Sequence, residues 1–165
     1  MKISRITLAA LLSVALGGFS LAAQAADGAI KVTSLAEVDV VTVGKDGKKS
    51  VKRGPAATTV PGTEVIFSNV FENISTKTAS GIVINNPVPN NTAYKGGSAM
   101  GKDTIITFSA DGGKTFDEES KLTVVGADGK KRAAVAGDYT HIRWAYKGQL
   151  PPGKSGDVSF KAVIK

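Results

Sequence analysis

The sequence predicts an all-β sandwich of about seven to nine short strands, set behind a cleavable export leader. After residue 25 the apolar residues alternate at short range and never sustain a helical period. Clusters of Gly, Asn, Asp and Pro punctuate the chain about every 8–12 residues, the spacing of a two-sheet sandwich. The 165 residues contain no cysteine. Packing and the hydrogen-bonded ladder therefore have to hold the fold without disulfides.

The leader is read first. Lys2 and Arg5 make a short positive region, and Ile6 to Leu21 is almost wholly apolar. Ala23-Gln24-Ala25 has the small-x-small pattern of a signal-peptidase site, so cleavage is expected before Ala26. No twin arginine is present, and no cysteine is available for lipid attachment. Removal of residues 1–25 leaves 26–165 as one domain, long enough to bury roughly 68–70% of its unfolded-chain surface. No later stretch is long and apolar enough to span a membrane, so no integral membrane segment is expected after cleavage. The expected location is periplasmic or secreted.

The mature chain then reads as strands and turns. Ile30 to Val43 alternates loosely and should give one or two strands. Lys45-Asp46-Gly47-Lys48 is a tight turn, because Asp-Gly tolerates the positive φ of a hairpin. Ser50 to Val60 should return as a weaker strand broken at Gly54-Pro55. Pro61-Gly62 turns the chain, and Thr63 can cap that turn through its hydroxyl. Val65, Phe67 and Phe71 share one face of the next strand. Asn69 interrupts that face, which implies either a bulge or a strand buried on both sides. Ser80 to Ile84 follows and should end at Asn85-Asn86. Pro87 and Pro89 cannot donate to a ladder, so that segment reads as a crossover or edge connection. Thr92 to Lys95 and Met100 to Ser109 are two further strands. Leu122 to Lys131 echoes Val41 to Lys49 and should form a similar hairpin. Asp138 to Tyr146 alternates strongly, with Tyr139, His141 and Arg143 opposite Ile142, Trp144 and Tyr146. Leu150-Pro151-Pro152-Gly153 turns into a last strand that points Val158, Phe160, Ala162 and Ile164 inward.

Several of these pieces, in this order, resemble a known family. Val60-Pro61-Gly62, Asn73, Asn86-Pro87-Val88-Pro89, Ser98-Ala99 and Leu150 through Phe160 look like the bacterial conserved repeat domain, also called domain of unknown function eleven. Thr63, Phe67 and Ser75 depart from the family's usual Asp, Tyr and Gly. The resemblance is strongest over 60–165 and weak over 26–59. It implies an immunoglobulin-like β-sandwich on an exported protein, and it implies no chemistry. Ser109 to Phe116 also resembles the Asp-box hairpin, in which an Asp and hydroxyls tie the turn and the aromatic packs beneath. That motif is structural.

The residues offer little to an enzyme. His141 is the single histidine, and no Gly-x-Ser-x-Gly elbow accompanies it. One histidine without cysteine makes no transition-metal cage. Asp111, Asp117, Glu118 and Glu119 form a local acidic cluster, but calcium asks for six to eight oxygens and Lys114 and Lys121 neutralise the region. Trp144 and Tyr146 could stack on a sugar if exposed, but two residues apart on one face they read as core. No enzyme, cofactor or metal is expected.

Charge is the remaining signal. The formal net charge is +7, and +5 without Lys2 and Arg5. Lysines at turns keep β proteins soluble and protect edges. Lys48, Lys49, Lys52, Arg53, Lys130, Lys131 and Arg132 would form an anionic-ligand patch if they met on one surface. Nucleic acid is not expected, because no aromatics interleave with these cations. The family implies an envelope protein or surface polymer as partner. The loops to contact it would carry Asn85, Asn86, Asn90 and Asn91, and Lys147, Gln149 and Lys154.

Overall fold

The computed structural model describes residues 29–44, 47–57 and 59–165. The expected leader and its cleavage site lie outside the described residues, as do Lys45 and Asp46 of the first hairpin turn. The described residues form an all-β fold of eleven strands with two single-turn 3-10 segments and no α-helix. The count exceeds the expected seven to nine because several strands have only two or three residues.

In chain order these are β1 (Ile30–Val43), β2 (Lys49–Pro55), β3 (Glu64–Asn73), β4 (Val83–Pro87), β5 (Thr92–Tyr94), β6 (Met100–Gly101), β7 (Thr104–Ser109), β8 (Thr123–Val125), β9 (Lys131–Ala133), β10 (His141–Tyr146) and β11 (Ser155–Ile164). One sheet runs β2-β1-β3-β11-β5, with β6 also on β11. A second runs β4-β10-β7, and β8-β9 stands as a hairpin. The two larger sheets enclose the core in a sandwich-like fold. Phe71, Ile142, Trp144, Val158, Phe160 and Ala162 are its deepest residues, none more than 1% exposed. Phe67 stacks on Phe160 at 5.2 Å, and Tyr94, Phe108 and Tyr139 pack as a second aromatic group. Such pairs add directional contact to the area they bury.

Turn chemistry sets the hairpins. Gly44 N–H donates to Lys48 C=O, and Gly47 N–H to Gly44 C=O. Gly126 and Gly129 repeat both bonds with Lys130 and Gly126. The second glycine has φ 75° in each hairpin (Gly47 and Gly129), the left-handed conformation that glycine adopts without Cβ strain. The likeness between the two segments is thus a shared turn. At Pro61-Gly62, Thr63 N–H donates to Val60 C=O while Thr63 Oγ1 accepts from Val60 N–H.

The structure also departs from the sequence reading. β1 is one 14-residue strand with two successive partners: β3 over 30–37 and β2 over 37–43. β3 has no bulge against β11, since its register is continuous from Glu64 to Glu72. Asn69 stays on the core face, 2% exposed, and accepts from Ser34 Oγ. Ile66, on the opposite face, is 3% exposed, so this strand is buried on both sides near its start. Asn85, Asn86 and Pro87 belong to β4 rather than to the loop, paired with Arg143, Ile142 and His141. β4 is an edge strand, where proline removes no ladder bond. The 100–109 segment is split by Asp103 at φ 56°, which moves the chain from one sheet to the other. Tyr139 lies before β10 and is core, not a neighbour of His141 on its face.

Asn73 ties these parts together. Its side chain is fully buried. Nδ2 donates to Lys77 C=O and Leu150 C=O, each at 2.7 Å, and Oδ1 accepts from Ser75 N–H and Oγ. Its main chain bonds Lys154 C=O and Gly153 N–H. Buried at this position, Asn73 is a structural residue and no acceptor for a glycan. Asn73→Ala should lower stability by about 2–4 kcal/mol, since it removes four hydrogen bonds made by a fully buried side chain and leaves its volume unfilled. Asn73→Asp should cost at least as much, because a carboxylate would face the carbonyls of Lys77 and Leu150 without donors. Urea unfolding followed by Trp144 fluorescence measures both.

Candidate functional site

Three places hold candidate residues, and two more groups, 147–154 and 130–132, lie apart from all three. The first is the Asp111 hairpin after β7. Asp111 accepts from Ser109 Oγ at 2.7 Å, Thr115 Oγ1 at 2.7 Å, and the N–H groups of Lys114 and Thr115 at 3.0 Å. Ser109, fully buried, accepts in turn from Asp111 N–H and Gly113 N–H. These bonds to the ionised carboxylate, led by the Thr115 hydroxyl, hold Asp111 far below the ordinary carboxyl range. Phe116 meets His141 edge-on at 6.5 Å between ring centroids, with the Arg143 guanidinium 3.6 Å from its own centroid. Arg143 Nε also donates to Asn85 Oδ1 at 2.8 Å. The Asp-box expectation is met in its chemistry: the carboxylate closes its own turn. Asp117 and Glu118 sit instead beside Lys121, at 3.6 and 3.3 Å. Among the described residues no three His, Asp or Glu side chains gather as a metal site.

The second place is an open cleft of about 300 Å³ at the same end of the sandwich. Pro87, Asn90, Asn91, Tyr139, His141 and Lys165 are among the residues that line it. His141 is half-buried, and its Nδ1 contacts Thr140 Oγ1. Asn91 turns the chain at φ 62°, and its C=O accepts from Lys165 N–H. Exposed Lys147, Gln149 and Lys154 follow the other end of β10. The antiparallel β4–β10 pairing puts Pro87 at His141 and Val83 at Ala145. The two candidate loops thus flank opposite ends of the sandwich and make no common surface. Trp144 is 1% exposed and no stacking platform.

The third place is the β1–β2 ribbon. Beyond Glu37 both strands leave the sandwich, and their side chains are exposed except at Val38 and Gly54. Directly opposed residues share a face. One face therefore carries Val43 with Lys49, Val41 with Val51, and Asp39 with Arg53; the other carries Val40 with Lys52. Val41, Val43 and Val51 are 57–64% exposed. Lys49, Lys52 and Arg53 alternate with these valines, and Arg53 approaches Asp39 at 3.7 Å. Lys130, Lys131 and Arg132 lie on the separate β8–β9 hairpin.

Arg132 is already engaged. Its guanidinium forks onto Asp138 at 2.6 and 2.8 Å and also bonds Ala133 C=O. Arg132, with help from Val135 N–H, lowers the Asp138 carboxyl from 3.8 to about 2. The pair is six residues apart and joined by a bend, which no local pattern announces. Glu64 is a second unanticipated centre: Lys161 at 2.7 Å, then Lys95, hold its carboxyl below the usual value. No family model and no curated protein matches the chain.

A carboxyl depressed in the folded state stabilises the fold above its unfolded value and loses that effect as pH falls through the folded one. Asp138 should therefore withdraw its contribution between about pH 4 and 2. In Arg132→Met the Asp138 titration, followed by carboxyl NMR, should move upward yet stay below the ordinary value, because Val135 N–H remains.

Proposed function

We propose that this chain is an exported, non-catalytic structural or protein-interaction module of the bacterial cell envelope, built as an immunoglobulin-like sandwich. The leader pattern at Lys2 to Ala25 and the family resemblance over 60–165 support export and the envelope role. The observation that carries the interaction role is the β1–β2 ribbon. It holds Val40, Val41, Val43 and Val51 in solvent, 44–64% exposed, on a strand pair outside the core. Exposed apolar clusters of this kind mark contact surfaces. The acidic groups of the Asp111 hairpin and of Asp138 are spent on structure, which agrees with a module that recognises rather than reacts.

One observation favours a second reading, a binder of anionic glycans or lipids. Lys49, Lys52 and Arg53 share the ribbon with the valines, so an anionic surface would meet charge and apolar contact together. A pull-down from solubilised envelope at low and high salt separates the readings. A protein partner should survive high salt, whereas a glycan or lipid held by charge should be released. Val41→Ser with Val51→Ser should abolish protein capture while stability changes by no more than about 0.5 kcal/mol per site, as expected of exposed positions. Undiminished capture by that variant would remove the ribbon from the interface.

A further inference from the structure

β1 carries an open strand edge over 30–35. Its β3 side is paired along this length, but on the other side β2 and the adjoining Ala56 cover it only from Ala36 onward. Ala36 C=O accepts from Ala56 N–H on the β2 side, whereas Ala29 C=O accepts from Ile74 N–H on the β3 side. Alternate residues of a strand direct their main-chain groups to opposite edges. The N–H and C=O groups of Ile30, Val32 and Ser34 therefore aim out of the sheet, with no strand partner among the described residues.

Exposed edges are normally blunted by lysine, proline, shortness or cover. The other edges here show those devices. β2 carries Lys49, Lys52 and Arg53 and ends at Pro55; β5 and β6 have three and two residues; β4 ends at Pro87; Asp117 bridges Phe108 beside β7. Residues 30–35 include neither Gly nor Pro and have one charge, Lys31. The segment is about 20 Å of straight strand. Val32 and Leu35 on its two faces are each 47% exposed.

We propose that this edge pairs with the same edge of a second copy, antiparallel about a two-fold axis at Thr33. The proposal rests on the interaction-module reading and names its partner. The register follows from Ala56 and β2, which block pairing at Ala36 and beyond. Two symmetric five-residue ladders remain; the one about Val32 sets Lys31 diagonal to Lys31 of the second copy, so charge selects the one about Thr33, with Lys31 opposite Leu35, Val32 opposite Ser34, and Thr33 opposite Thr33 of the second copy. Val32 and Ser34 become hydrogen-bonded partners in both halves, giving four new main-chain bonds. Lys31 faces Leu35 directly and Glu37 of the second copy diagonally, on the same face of the joined sheet. Charges thus complement at each end, and no like charges stand opposed.

The absence of native cysteine makes the test direct. Thr33→Cys places two thiols at a close, non-hydrogen-bonded pair, within disulfide reach. Leu35→Cys places them about 13 Å apart along the ladder, out of reach. Under mild oxidation Thr33→Cys should give a cross-linked dimer in roughly tenfold or greater yield over Leu35→Cys. Wild type should show concentration-dependent mass by sedimentation, and Glu37→Lys should weaken association about threefold at unchanged circular dichroism. Equal cross-linking of the two variants, or a wild-type monomer at all concentrations, would overturn the proposal. A monomer that still captures an envelope protein would leave the interaction-module reading standing; a monomer that captures none would remove both.

Discussion

The buried amide of Asn73 is the joint on which the two sheets depend. It stands at the end of β3, where the chain must leave one sheet and approach the other. Five carbonyl and N–H groups converge on the residue: those of Lys77, Leu150 and Ser75 on the amide, and those of Gly153 and Lys154 on its main chain. The carbonyls of Lys77 and Leu150 also accept from Ser75 Oγ and Ala79 N–H, whereas the buried amide has only these partners and would be costly without them. An amide suits the position because it donates twice and accepts twice at once. Leu150, fixed by this bond, then pairs with Ala79 as an isolated bridge. That bridge closes the sandwich beside Phe71 and starts β11 in register.

Once closed, the sandwich is unequal. The larger sheet has six strands and the facing one three. The smaller sheet covers β3, β11 and their neighbours, where Phe71, Val158 and Phe160 are fully enclosed. It reaches β1 only at Ile30, which packs against the core; Val32, on the core-facing side opposite Phe71, remains 47% exposed. The excess strands therefore cannot be explained by the core. They bury little of their own apolar surface, and packing alone gives no reason for an exposed 14-residue strand. The pairing proposed above would supply one.

Local chemistry was the legible part of the sequence. Asp-Gly and Pro-Gly turns, the Asp111 hairpin and the inward face of β11 need only neighbouring residues to define them. The core position of Trp144 and the half-buried state of His141 follow from simple alternation. Choice of partner was not legible. Nothing in Ile30 to Val43 says that one strand changes neighbours at Glu37. Asn85 and Asn86 read as strand breakers, yet they pair with β10 at an edge, where Asn85 faces outward to bond Arg143 and Asn86 is half-buried on the face of Ile84. Tyr139 follows the period of its strand in sequence but precedes it in space, because residues 136–138 form a turn of 3-10 helix. The basic patch likewise depended on distant placement. Its seven members occupy two hairpins, and Arg132 is held by Asp138.

The same distinction separates the charged groups into two kinds. Asp111, Asp138 and Glu64 are enclosed by donors, and those donors hold each carboxyl ionised. A group so stabilised is a poor proton acceptor near neutral pH and a good anchor for a turn or strand end. The cations of the ribbon are different. Lys49 and Lys52 stand in solvent beside valines that the fold does not need for its core. Ribbon and open edge adjoin at Ala36, so one strand presents an apolar, basic surface and an unpaired ladder in immediate succession. Side-chain contact and main-chain pairing can then act on a single partner. Specificity would come from the valines and affinity from the backbone, the division of labour that strand addition uses.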